Sequence, residues 1–263
     1  MLKLLIVSVV SVYVGLAVLA YLVSDRMIFL PPAASYDARR LPVRLVETED
    51  GARLATLHLP NPEATFTLLY SHGNAEDLGH VAPALEELRR AGFAVLAFDY
   101  RGYGASTGGP PGAEAAYRDE AAVYRHATRE LGIPPDRIVV YGRSVGSGPA
   151  VELAAREPVA GLVVESGFVS AYRVVTRIPL LPFDKFPNLR NIRKVRAPVL
   201  VIHGVHDEVI PVSHGRRLFA AAPEPKRSLW VEAGHNDVAW RAGADYLRAF
   251  RDFGTLLEEI RRD

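Results

Sequence analysis

The sequence predicts an α/β fold: a mainly parallel, eight-stranded sheet with helices on both faces, a short lid and an N-terminal transmembrane helix. Three observations carry this reading. Continuous apolar runs of strand length alternate with amphipathic helical patterns along most of the chain, as buried parallel strands and their crossover helices require. The size, 263 residues with 49% hydrophobic content and a formal net charge of +1, suits one full-sized domain plus a short appendage. Residues 4–24 carry no charge and are mostly Leu, Val, Ile and Ala, matching the roughly 20 residues that cross a bilayer.

That apolar segment, with its flank from residue 1 to 24, reads as an uncleaved membrane anchor. No face of it is polar, which argues against a buried core helix. The competing reading is a signal peptide, whose apolar core is usually shorter, about 7–15 residues. Val18-Leu19-Ala20 offers a cleavage site for it. Lys3 precedes the segment, whereas Arg26, Arg39, Arg40 and Arg44 follow it. Counted by the positive-inside rule, this leans towards a cytoplasmic domain, although large C-terminal domains are exported despite such charges, so the side stays open. Residues 25–42 contain Pro31-Pro32 and little periodicity, and read as a linker along the domain edge.

The domain then occupies residues 43–263. Residues 43–48 and 53–59 flank Asp50-Gly51, a hairpin signal, and form the antiparallel edge. Residues 66–70 are an apolar strand ending in Ser71-His72-Gly73-Asn74. The helix after it aligns Leu78, Val81, Ala82, Leu85 and Leu88, and Gly92 ends it. Residues 93–98 are a strand followed by the loop Asp99-Tyr100-Arg101-Gly102-Tyr103-Gly104. Residues 114–131 are helical and stop at Gly132-Ile133-Pro134-Pro135. Strands follow at 137–140, 161–165, 198–202 and 228–232, and the last helix repeats Tyr246, Phe250, Phe253, Leu257 and Ile260. Between 166 and 197 three prolines break the pattern among scattered Phe, Leu and Ile. Because ligands of such sheets bind outside the carboxyl ends of the strands, this stretch is the natural lid and pocket wall. A connecting loop with apolar anchors is the plainer alternative. It is too short for a multi-helix cap, so the site should be fairly open.

The chemistry centres on Tyr141-Gly142-Arg143-Ser144-Val145-Gly146. It follows a strand and precedes a small-residue helix at 147–155. Strand, G-x-S-x-G, helix is the nucleophile elbow of α/β-hydrolases, a strained turn that stands a serine hydroxyl clear of the sheet. A serine nucleophile needs a base, and the base an orienting acid, in the order Ser, acid, His in this fold. Among the downstream histidines only His235, in Gly234-His235-Asn236-Asp237, follows the last strand. His203 ends a buried strand and reads as structural; His206 and His214 read as loop and helix-start residues. The acid is Asp207, just past a strand end, with Glu165, Glu208 and Asp237 as rivals. Asp99 lies upstream of the serine and reads as a loop brace. The oxyanion hole takes backbone amides from Val145 and Asn74, with Ala75 as a substitute for Asn74.

These segments, with Ser71-His72-Gly73-Asn74-Ala75-Glu76-Asp77-Leu78-Gly79 and Phe98-Asp99-Tyr100-Arg101-Gly102-Tyr103-Gly104-Ala105-Ser106, resemble the α/β-hydrolase superfamily. Within it the chain is similar to the membrane-associated branch of protein depalmitoylases and bacterial relatives, which is also labelled serine aminopeptidase-like. Those depalmitoylases attach through an acylated N-terminal cysteine cluster; this chain has no cysteine and carries its apolar segment instead. The absence of cysteine also excludes disulfides, a thiol nucleophile and thiolate metal sites. Near-zero net charge and scattered Lys and Arg give no case for nucleic acid. The expected activity is hydrolysis of a carboxylic ester or thioester, the substrate being a lipid or an acylated protein, with no metal and no organic cofactor. A serine aminopeptidase-like peptidase is the enzymatic alternative, and a non-catalytic binding protein on the same fold is the alternative of another class.

Overall fold

An eight-stranded sheet organises the computed structural model, which describes residues 1–262. Its strands are β1 (Val43–Glu47), β2 (Arg53–Leu59), β3 (Thr67–Ser71), β4 (Ala94–Phe98), β5 (Ile138–Arg143), β6 (Gly161–Glu165), β7 (Val199–Gly204) and β8 (Lys226–Val231). They lie in the order β1-β2-β4-β3-β5-β6-β7-β8. The β1–β2 hairpin and the β2–β4 pair are antiparallel, and the other pairs are parallel. The register sets Ser71 beside Gly142 and Arg143 beside Glu165. The loops leaving β3, β5 and β6 therefore start level with one another at one edge of the sheet.

The helices are α1 (Leu2–Ile28), α2 (Leu78–Arg90), α3 (Ala113–Arg129), α4 (Ser147–Arg156), α5 (Ala171–Thr176), α6 (Asn188–Asn191), α7 (Ser213–Ala221), α8 (Val238–Ala242) and α9 (Ala244–Arg262). Alternation along the strands divides the core in two. Leu69, Val140, Val164 and Val201 pack with Val123 of α3 and Val151 of α4. Leu68, Val139, Val163 and Leu200 pack on the other face with Leu85 of α2 and Phe250 of α9. Both faces of the central strands are thus dry, which is why these strands are apolar without alternation. The expected stripes of α2 and α9 do face the sheet, apart from exposed Ile260 and partly buried Ala82.

Helix α1 is 27 residues long, and its length and apolar composition are enough to cross a membrane. Only Ala17 and Ser24 of its residues are buried. It runs four residues past the apolar segment, and the chain then joins the domain edge firmly. The Phe29 ring is buried edge-on to Tyr100 and Phe186, at 5.9 and 6.1 Å between centroids. The Leu30 amide donates to Asn74 Oδ1 at 2.7 Å, the Ser35 amide to Asp77 Oδ2 at 2.7 Å, and the Tyr36 hydroxyl to Asp99 Oδ2 at 2.5 Å. The stretch 166–197 holds the short helices α5 and α6. Its return is rooted on α4: Phe186 lies over Gly148, and Asn188 Nδ2 donates to Ser147 Oγ at 3.3 Å.

Candidate active site

Ser144 sits where β5 turns into α4, with φ at 52°. A side chain held in the left-handed region costs on the order of 1–3 kcal/mol, so surrounding structure must impose it. It does so through backbone contact. A Cβ on Gly142 would lie 2.3 Å from the Gly146 carbonyl oxygen, and one on Gly146 would lie 2.1 Å from that of Ser71. Only glycine allows the turn to close this tightly against the end of β3. Ser147 Oγ donates to the Ser144 carbonyl at 2.7 Å and fixes the turn from the helix side.

The turn brings Ser144 Oγ 3.0 Å from His235 Nε2, across 91 residues of sequence. His235 Nδ1 lies 2.7 Å from Asp207 Oδ2. Asp207 Oδ1 accepts the amides of Val209 and Ile210 at 2.9 and 2.7 Å. Burial works against the Asp207 charge, but hydrogen bonds from His203, His235 and the Ile210 amide outweigh it and hold the carboxyl well below the usual range. Asp207 is therefore an anion at neutral pH, able to orient the imidazole with its proton on Nδ1 and its lone pair on Nε2, towards the serine. All three groups are buried with a sliver of exposure, Ser144 at 8% and the others at 6%.

Two of the three rival acids are committed elsewhere. Glu165 accepts the Tyr141 hydroxyl and, at 2.6 Å, the Tyr246 hydroxyl. Asp237 accepts the Gly234 amide at 2.7 Å and pairs with Arg241 at 3.0 Å. Glu208 approaches only the His235 backbone amide, at 3.4 Å. His206 pairs with Glu232 at 2.6 Å on the surface, and His214 accepts the Val169 amide at 3.2 Å. Asp99 braces the loop after β3, accepting the Leu78 amide at 2.9 Å.

That loop is held by a set of named contacts. The Gly73 amide donates to Glu76 Oε1 at 2.6 Å and the Ala75 amide to Asn74 Oδ1 at 2.8 Å. Among the described residues the Asn74 amide donates to no acceptor. The Tyr103 hydroxyl also donates to Asn74 Oδ1, at 3.1 Å, and the Tyr100 hydroxyl to the His72 carbonyl at 3.0 Å. The aromatic residues of the 99–104 loop thus act as props under this segment.

Two side chains beside the site make contacts that sequence reasoning misses, the second belonging to His203, which it reads as structural. Arg143 reaches Glu76 Oε1 at 2.7 Å, Glu165 Oε1 at 3.4 Å and Asn236 Oδ1 at 3.0 Å. One guanidinium therefore ties the loop after β3 to the loop bearing His235. Burial opposes the Arg143 charge, but the Glu76 and Glu165 carboxylates keep it firmly protonated. Its signal in sequence was only its place beside Ser144. His203 is the second: its Nε2 lies 2.8 Å from the Ile210 carbonyl and 3.3 Å from Asp207 Oδ2. With a carbonyl that close, Nε2 carries the proton and donates, adding a donor beside the acid. A cavity of about 500 Å³ opens beside Arg143, lined also by Asn74, Glu165, Asn236 and Tyr246. A larger cleft of about 770 Å³ lies between α1, α3 and the lid, and none of Ser144, Asp207 and His235 lines either cavity.

Comparison with known proteins gives one consistent neighbourhood. The family model described as "Serine aminopeptidase, S33" matches residues 62–183. The chain is 41% identical over 219 residues to the Caenorhabditis elegans α/β hydrolase domain-containing protein aho-3, covering 80% of this chain and 64% of that protein. It is 40% identical over 214 residues to human α/β hydrolase domain-containing protein 17B, covering 80% and 73%. Among solved structures, a Pyrococcus furiosus esterase superposes with a TM-score of 0.70 at 18% identity, covering 86% of this chain and 97% of that one. A Rhodococcus esterase does so with a TM-score of 0.66 at 20% identity, covering 82% and 99%.

Proposed function

The chain belongs to the α/β-hydrolase superfamily, and from that premise we propose that it is a membrane-anchored serine hydrolase that cleaves carboxylic esters or thioesters. The observation that carries the reading is the relay of Ser144 Oγ, His235 and Asp207, at 3.0 and 2.7 Å. Ser144 Oγ attacks the acyl carbonyl while His235 Nε2 takes its proton. The oxygen that becomes negative is stabilised by the amides of Val145 and Asn74; the commitment of the neighbouring Gly73 and Ala75 amides favours Asn74 over Ala75. His235 returns the proton to the leaving alcohol or thiol, which departs and leaves an acyl-serine. Water, deprotonated by His235, then attacks that ester, and the acid is released with Ser144 regenerated. Asp207 keeps the imidazole oriented and offsets its charge in both halves.

An aminopeptidase needs a carboxylate free to receive a substrate ammonium. Glu76 and Glu165 beside the site are both engaged by Arg143, which favours the esterase, whereas exposed Glu208 at the His235 amide is the carboxylate a peptidase would have to use. We read α1 as the membrane anchor and acylated lipids or proteins as the substrates, because the apolar helix leads directly into the loop beside the site. The test is turnover of p-nitrophenyl esters from acetyl to palmitoyl by the full chain in detergent, with Ser144→Ala alongside. The reading expects the variant to lose at least about 10³-fold in kcat. Full turnover by Ser144→Ala would sink it, and release of amino acids from short peptides faster than any ester would favour the peptidase.

A further inference from the structure

The lid carries an apolar tip, Ile178-Pro179-Leu180-Leu181-Pro182-Phe183, with Arg177 before it and Asp184-Lys185 after it. The tip does not fold back over the site. It runs along α1, away from the domain. Tyr172 and Ser24 share a hydroxyl contact at 3.0 Å, Phe183 packs edge-on to Tyr21 at 5.5 Å, and the Tyr13 hydroxyl donates to the Leu180 carbonyl at 2.9 Å. Tyr13 lies eleven residues before Ser24, about 16 Å along a helix at about 1.5 Å per residue. That is about half of a hydrocarbon core roughly 30 Å thick. The side chains of the tip that do not touch α1 are bare: Ile178 is 57% exposed and Leu180 54%, with Val175 at 80% beside them.

Resting on the reading of α1 as a membrane anchor, we propose that the lid tip is a second membrane contact, inserted into the leaflet nearest the domain beside α1. Lipid chains are the occupant that fits, because the exposed patch is continuous with a helix apolar on every side. Its backbone chemistry agrees in part, since the amides of Ile178, Leu180, Leu181 and Phe183 donate to no acceptor among the described residues while other groups are met or lack a hydrogen. In lipid, unpaired amides and carbonyls are costly. Pro179 and Pro182 have no amide hydrogen to satisfy. Thr176 Oγ1 donates to the Ile178 carbonyl at 2.7 Å, and Tyr13 serves that of Leu180. Charge is set at the level expected of an interface. Lys185 Nζ pairs with Asp25 Oδ2 at 2.7 Å, where the apolar run of α1 ends, and lies over the Tyr21 ring. Tyrosine and lysine at that height are the usual anchors of a membrane–water boundary. The lid is rooted on α4, so a submerged tip holds the mouth of the site against the headgroups, where a substrate with an embedded acyl chain presents its carbonyl.

The chain has no cysteine, so a single introduced one labels uniquely. Full-length Leu180→Cys, Ile178→Cys, Leu16→Cys and Thr255→Cys, each carrying an environment-sensitive fluorophore, are reconstituted in phosphatidylcholine vesicles with and without acyl-chain nitroxide lipid. Leu16 reports on α1 and Thr255, on α9, on water. The proposal expects blue-shifted emission and strong loss with nitroxide at 16, 178 and 180, and neither at 255. Quenching at 16 with water-like emission at 178 and 180 overturns the lid contact and leaves the anchor standing. Water-like emission at all four positions overturns both.

Discussion

At the residue scale, Arg143 and Glu120 make opposite uses of burial. Arg143 exchanges hydration for contacts to Glu76, Glu165 and Asn236, and so acts as a positioning residue for two loops. Arg143→Gln should lower kcat by on the order of 10²-fold with little change in KM, since small misplacements of reacting groups cost about that much. Arg143→Lys keeps the charge but not the fork, so it should restore thermal stability more than rate. Steady-state kinetics and melting curves on the same preparations separate these outcomes, and equal losses in kcat and stability for both variants would make Arg143 merely structural. Glu120 is fully buried in α3, where among the described residues no cation pairs with its carboxyl and the Ser71 hydroxyl offsets its burial only in part. Burial raises its pKa well above the ordinary carboxylate value. The folded protein therefore keeps a proton that the unfolded chain releases above a pH of about 4.3. Its contribution is full below that pH and is lost as pH rises towards the folded pKa. Glu120→Gln has no proton to hold, so it should gain on the parent as pH rises, by up to about 1.4 kcal/mol per pH unit. Urea melts from pH 4 to 8 measure the gap; a gap that does not change with pH would refute the protonated-carboxyl account.

At the scale of elements, the pattern of strands and helices was legible because buried strands and one-sided helices leave different apolar periods. The limits of elements were less so, for identifiable reasons. The strand expected at 137–140 runs to Arg143, because Ser71 and Glu165 on the two flanking strands continue the ladder through a Tyr-Gly-Arg sequence that alone reads as a turn. The last strand begins at Lys226 instead of 228: it pairs only with β7, so its first residues face water and carry no apolar mark. Ser144, Asp207 and His235 could be read because an elbow motif and chain order are local or ordinal signals. The contacts of Arg143 with Glu76 and of His203 with Asp207 could not, because they are made between segments that only the folded sheet sets side by side. The segment after α1 is similar: nothing in its composition announces that Phe29, Leu30, Ser35 and Tyr36 each find a fixed partner in the domain.

At the scale of the whole molecule, the sheet order has a consequence for how the protein is made. From β3 onward the strands β5, β6, β7 and β8 are laid down one beyond another in the order in which they are synthesised. Helix α1 precedes every strand of the sheet in the chain. The serine turn can be complete once α4 has emerged, while His235, proposed as its base, is still untranslated, and Tyr246, which donates to Glu165, comes later still. On the proposed reading, a chain whose α1 had entered a bilayer would hold a nucleophile with no base until the segment bearing His235 appeared. Ribosome-bound chains arrested at residue 225 should ignore a fluorophosphonate probe that labels Ser144 in chains extended through residue 263 by a linker. Equal labelling of the two would mean that the serine turn is reactive without His235.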